Sequence, residues 1–170
     1  MTVQEHGPFN GDELHRLAVG AARALAAVQR AGVVRRDLEP DNVLVGRTGP
    51  RHRLRHRPAV DRLDHPGRRR RHPLDMAPGV LRGAPAGRAA DVYGWAVVML
   101  YAASGRPPCQ RRAHTVQLPE PLHALVNAGL AERPEERPTA RDLQLGLLEH
   151  RADHVSLMEA GSRTRAPSPP

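Results

Sequence analysis

The chain has 170 residues, the size of one ordinary domain, and its hydrophobic content of 39% comes almost wholly from Leu, Val and Ala because aromatics make up only 2%. A single cysteine, Cys109, excludes an internal disulfide framework and a cysteine-rich zinc site, and the complete lack of lysine excludes any chemistry that needs a lysine ammonium from this chain. The formal charge of +8 is a local event: between Arg51 and Arg71 nine arginines stand against Asp61 and Asp64, a net of +7. That run holds no aromatic side chain on which bases could stack, so it reads as a solvated basic loop rather than a nucleic-acid site. No apolar run is long enough to span a bilayer and no secretory leader opens the chain, so a cytoplasmic protein without a membrane partner is expected.

In chain order, the first pattern is Leu14, Leu17, Ala18, Ala21, Leu25 and Val28, which has helical spacing. Asp12 and Glu13 sit where a helix dipole favours acids, and Gly32 supplies a stop, which predicts a helix over Gly11 to Arg30. Val33-Val34 and Val43-Leu44-Val45 read as two short strands around the polar turn Arg35 to Asn42. Gly46 to Pro73 shows no apolar period and is expected to be irregular. Asp91 to Ser104 places apolar residues on more than one face, which predicts a largely buried helix closed by Gly105. Pro121 to Leu130 predicts a short helix, and Thr139 followed by Asp142 predicts a capping box opening a last helix to about His150. The tail, 153–170, has the composition of a disordered segment.

Val33-Val34-Arg35-Arg36-Asp37-Leu38-Glu39-Pro40-Asp41-Asn42-Val43-Leu44 resembles the H-R-D-L-K-P-x-N catalytic loop of protein kinases, specifically the eukaryotic-type serine/threonine kinases of bacteria. Four further segments resemble the family in the right order. They are Met76-Ala77-Pro78-Gly79 (M-A-P-E), Asp91-Val92-Tyr93-Gly94-Trp95-Ala96 (D-V-x-S-x-G), Gly105-Arg106-Pro107-Pro108, and Leu130 to Thr139 (L-x-K-D-P-x-x-R-P-T). The resemblance implies that Asp37 orients the substrate hydroxyl and accepts its proton, that Asn42 holds magnesium, that Asp91 holds the backbone of the catalytic loop, and that Arg137 pairs with the A-P-E glutamate. The implied fold is α+β, mainly α: an incomplete kinase-like fold comprising the large C-terminal lobe only. Residues 1–10 would be a hinge-like segment and 11–152 the partial lobe, interrupted by the irregular arginine-rich stretch 46–73.

The departures from the family bear on function. The chain contains no Gly-rich loop and no ATP-anchoring lysine, as expected where the small N-terminal lobe is absent. Arg35 replaces the catalytic-loop histidine, Glu39 replaces its lysine and reverses a charge, and Gly79 replaces the A-P-E glutamate, which would strand Arg137 at a cost of about 3–5 kcal/mol. In place of the metal-binding D-F-G stands Arg51-His52-Arg53-Leu54-Arg55-His56-Arg57-Pro58. GC-rich codons for Val-Ile-Asp-Phe-Gly-Ile-Ala-Arg, read in a neighbouring frame, give His-Arg-Leu-Arg-His-Arg-Pro, the peptide at His52 to Pro58, so the run reads as the product of compensated frameshifts, the rival reading being a selected basic loop. His52 and His56 have ligand spacing, but the surrounding arginines disfavour a metal, and Cys109 reads as a packing residue. The expectation is a kinase-like fragment, an inactive remnant or pseudokinase, that binds neither the family's ATP nor its magnesium well and would be only marginally stable with its N-lobe face exposed. Two alternatives are an active serine/threonine kinase that needs the missing N-lobe, and an arginine-rich non-catalytic module for nucleic acid or acidic partners. The partner itself is left unknown, with a protein partner open.

Overall fold

The computed structural model describes residues 1–6, 8–36, 38–45, 76–106 and 116–149, with the backbone alone at 53–54. Asp37, His52, His56, Cys109, His114, most of the arginine-rich run and the tail 153–170 lie outside the described residues.

Helix α1 (Val3–His6) precedes the first periodic segment. Its N-terminus is a reciprocal capping box, in which Thr2 N–H donates to Glu5 Oε2 at 2.7 Å and Glu5 N–H donates to Thr2 Oγ1 at 3.3 Å. Helix α2 (Gly11–Arg30) has the expected bounds and buries Leu14, Leu17, Ala18, Ala21, Ala22, Leu25 and Ala26. It ends as predicted: Gly32 adopts φ 76°, its N–H donates to Gln29 O at 3.1 Å, and Val33 N–H donates to Val28 O at 3.2 Å. The left-handed residue closes both bonds, which is why glycine stands there.

The β-structure differs from expectation. Val33 and Val34 form no strand, and Val33 is 44% exposed. Instead β1 (Val43–Leu44) pairs antiparallel with β2 (Arg53–Leu54), with Val43 opposite Leu54 and Leu44 opposite Arg53. The other side of β1 is met by the N-terminus, through an isolated bridge between Thr2 and Leu44 and a bond from Val45 N–H to Met1 O at 2.9 Å. Valine content could not separate these cases, because β-propensity is realised only where a partner backbone is present. Val33-Val34 leaves the helix at its glycine stop, with no such ladder on either edge. Conversely, β2 lies inside the stretch expected to be irregular: a two-residue ladder is built from backbone hydrogen bonds and needs no apolar alternation.

Helix α3 (Pro78–Leu81), a single turn with proline at its first position, was not foreseen as an element. Helix α4 (Arg88–Ser104) begins three residues earlier than predicted and is the hub of the molecule, with every residue from Asp91 to Leu100 buried. It ends at Gly105, whose N–H donates to Tyr101 O at 2.8 Å. Helix α5 (Leu122–Gly129) and helix α6 (140–149) follow, the latter opened by the predicted cap: Thr139 Oγ1 donates to Asp142 Oδ2 at 2.7 Å and Asp142 N–H donates to Thr139 Oγ1 at 3.2 Å. One core joins α1, α2, α4, α5 and α6 through Val3, Leu17, Leu25, Trp95, Met99, Leu122, Leu143 and Leu147. Trp95, the one tryptophan, is fully buried and its Nε1–H donates to Ala18 O on α2 at 3.4 Å.

Candidate functional site

The loop joining α2 to β1 is anchored to the first buried turn of α4. Asp91 Oδ2 accepts Arg35 N–H at 2.8 Å and Oδ1 accepts Arg36 N–H at 2.7 Å, so a single carboxylate holds two successive backbone donors. Arg36 has φ 59°, a left-handed conformation that a side-chain-bearing residue keeps only when surrounding contacts offset the strain. The paired acceptor on Asp91 provides that contact. Beyond Arg36 the chain dives inward: Leu38 and Pro40 are buried, Pro40 opens a 3-10 turn (Pro40–Asn42), and Asn42 N–H donates to Glu39 O at 2.9 Å. Asn42 is itself 4% exposed and leads directly into β1. On the outer side, the Gln4 side chain of α1 lies against the carboxylate of Asp41, to which its amide donates, 2.9 Å from Oδ2, when turned with the nitrogen inward.

Asp91 pays electrostatically for its place. Burial raises its carboxyl above the ordinary value, outweighing the two N–H donors and the charges of Arg35 and Arg36, all of which favour the ionised form. The folded chain therefore binds this proton more tightly than the unfolded chain. The stability linked to it is present below the ordinary carboxylate value and is lost as pH rises through the raised one. Asp142 has the opposite sign. The Thr139 hydroxyl and N–H hold its carboxyl below the ordinary value, so its contribution is present above that value and is lost as pH falls through the depressed one. In urea unfolding from acid to neutral pH, Asp91→Asn is expected to flatten the decline on alkalinisation and Asp142→Asn the decline on acidification. Two variants with the wild-type slope would contradict these assignments.

Arg137 follows a 3-10 turn (Pro134–Glu136) and is 7% exposed. Its expected stranding is not what the structure shows. Nε–H donates to Ala131 O at 2.8 Å, Nη2 to Glu132 O at 3.0 Å and Nη1 to Ala89 O at 3.1 Å, while the guanidinium lies 5.1 Å from the centre of the Tyr93 ring. Three carbonyl dipoles and an aromatic face thus take up the charge where Gly79 offers no carboxylate. Burial still lowers the Arg137 pKa, and the Coulomb contributions of Tyr93 and Glu135 oppose that shift.

The loop, α3 and α4 enclose an open cleft. Leu38, Met76, Ala77, Val80 and Gly94 form its apolar wall, and Arg36, Glu39 and Asp91 supply its charged groups. The structure thus gathers Asn42, Asp91 and Glu39 around one loop and keeps Arg137 with Tyr93 on another part of α4, while Asp37 lies outside the described residues. Sequence reasoning missed Gln4, for which the T-x-x-E cap at Thr2 and Glu5 was the available signal. It also missed Tyr93 beneath Arg137, for which no signal existed because the contact spans two distant elements.

No protein-family model matches the chain. Among curated proteins it is similar to the serine/threonine-protein kinase PkaA of Streptomyces coelicolor, 34% identical over 168 aligned residues that cover 85% of this chain and 31% of the relative. It is also similar to AfsK of the same organism, 30% identical, covering 87% of this chain and 21% of the relative. The chain therefore spans about a third or less of the length of these curated relatives. Among solved structures, the kinase domain of Mycobacterium tuberculosis PknI superposes with a TM-score of 0.67 at 20% identity, covering 88% of this chain and 62% of that one. The anchored loop, the buried α4 hub and these similarities agree: the chain has part of the protein-kinase fold, and the curated proteins it resembles are bacterial serine/threonine kinases.

Proposed function

We propose that this chain is a kinase-like fragment, a degenerate remnant or pseudokinase, that does not itself transfer phosphate. The observation carrying this reading is Glu39, a carboxylate on the wall of the loop cleft where the family places a lysine. Phosphoryl transfer depends on positioning and on cations that neutralise the developing charge. Losing one such contributor costs on the order of 10²–10³ in rate, and reversing its sign adds repulsion. The residues present do not fit magnesium-ATP: Glu39 places a carboxylate in the cleft where the family has a cation, and the chain has no lysine. Asp37 and Asn42 would then be vestiges of the proton acceptor and the magnesium ligand.

The test is magnesium-ATP binding followed by phosphotransfer to a generic protein substrate, using the full chain. The expected result is neither saturable binding at millimolar nucleotide nor labelled product. Nucleotide-dependent labelling that disappears in Asp37→Asn would overturn the proposal and favour an active kinase. A second reading, a non-catalytic basic module, is favoured by the local net charge of +7 between Arg51 and Arg71. It predicts binding to acidic polymers that falls steeply with salt and is lost when Arg68 to Arg71 are neutralised.

A further inference from the structure

A mid-helix glycine costs about 1 kcal/mol relative to alanine, so a glycine in the buried hub of α4 requires a packing reason. Gly94 has one. A Cβ at this position would lie 2.8 Å from the carbonyl oxygen of Leu38 and 3.1 Å from its Cβ. The nearer atom belongs to the backbone, which cannot swing aside as a flexible side chain can. The loop around Leu38 is also restrained on both flanks, by the bonds from Arg35 and Arg36 to Asp91 and by the ring of Pro40. Asp91 and Gly94 stand three residues apart on α4, one turn along the same face.

We propose that Gly94 is a positioning residue for the loop that carries Asp37 and Asn42. A hydrogen in place of a side chain lets the Leu38 backbone lie directly on α4, one turn beyond the carboxylate that anchors Arg35 and Arg36. Asp91 fixes the start of the loop and Gly94 fixes its depth. The kinase resemblance places serine at this position, and in this chain a serine Cβ would meet the Leu38 carbonyl oxygen at 2.8 Å, so restoring serine displaces the loop. The functional meaning rests on reading this loop as a degenerate catalytic loop, whereas the packing does not.

The test is amide hydrogen exchange on the full chain carrying Gly94→Ala or Gly94→Ser, a readout that contains no nucleotide and is independent of the phosphotransfer result. Exchange at Arg35, Arg36 and Asn42 is expected to accelerate about tenfold or more relative to amides within α5. The control is Gly129→Ala, whose Cβ would lie 3.0 Å from the Cβ of Ala96 and whose close neighbours do not include the loop. It is expected to lower stability without singling out the loop amides. Acceleration in the Gly94 variants no greater at Arg35 and Arg36 than in α5 overturns the proposal. Should both Gly94 variants fail to fold, the wild-type chain decides: proton cross-relaxation between Gly94 Hα and the Leu38 side chain is expected, and its absence overturns the assignment.

Discussion

Asp91→Ala is expected to destabilise the chain by about 2–3 kcal/mol and to release the loop before the rest of the fold unfolds. Each bond from a backbone N–H to an ionised carboxylate contributes about 1.5–3 kcal/mol. Both donors, Arg35 and Arg36, lose their acceptor at once. The loss is partly offset because alanine removes a carboxylate whose burial is unfavourable, as its raised pKa records. Arg36 at φ 59° loses the contact that holds its left-handed conformation, so the damage is concentrated at that residue. Urea unfolding measures the total, and hydrogen exchange at Arg35 and Arg36 measures the local part. A stability change below about 0.5 kcal/mol would mean that the two bonds contribute nothing net.

Arg137→Met is expected to cost more, about 3–5 kcal/mol, because three backbone carbonyls lose a charged donor at once. Methionine preserves much of the length and apolar contact, so the cost isolates the three carbonyl bonds and the Tyr93 ring contact. Arg137→Lys separates charge from geometry. An ammonium keeps the cation but cannot reproduce a planar fork aimed at Ala131, Glu132 and Ala89, so about half of the loss is expected to remain. A lysine variant as stable as wild type would show that charge alone matters and would refute the carbonyl-cradle account. Introducing Gly79→Glu addresses the same site from the other side. Since the guanidinium's three nitrogens already donate to carbonyls, restoring the family's acid is expected to add little stability.

The helices were legible because their signals are local. The α2 pattern, the Gly32 stop and the Thr139–Asp142 cap each lie within a few residues, and the structure reproduces them. The strand at Val33-Val34 failed because strand formation depends on a partner that sequence spacing does not reveal, and β2 was missed for the same reason. At the site, the kinase resemblance led to Asp91 as a residue holding the loop backbone, and its two bonds to Arg35 and Arg36 are present. It did not reveal what became of Arg137. The loss of a glutamate at position 79 is visible in the letters, whereas acceptance by backbone carbonyls is a property of the folded chain alone, since every residue carries a carbonyl. Gly94 was visible as a departure from a motif, but its meaning required the distance to Leu38.

The burial of α4 from Asp91 to Leu100 has a consequence for biosynthesis. Its apolar surface is wrapped by elements made both before and after it, with Ala18 of α2 on one side and Gly129 of α5 on the other. At about 5–20 residues per second, a ribosome takes roughly 1–5 s to add the stretch from Ser104 to Gly129. Until α5 has been made and has docked, the flank of α4 that it covers has no partner within the chain.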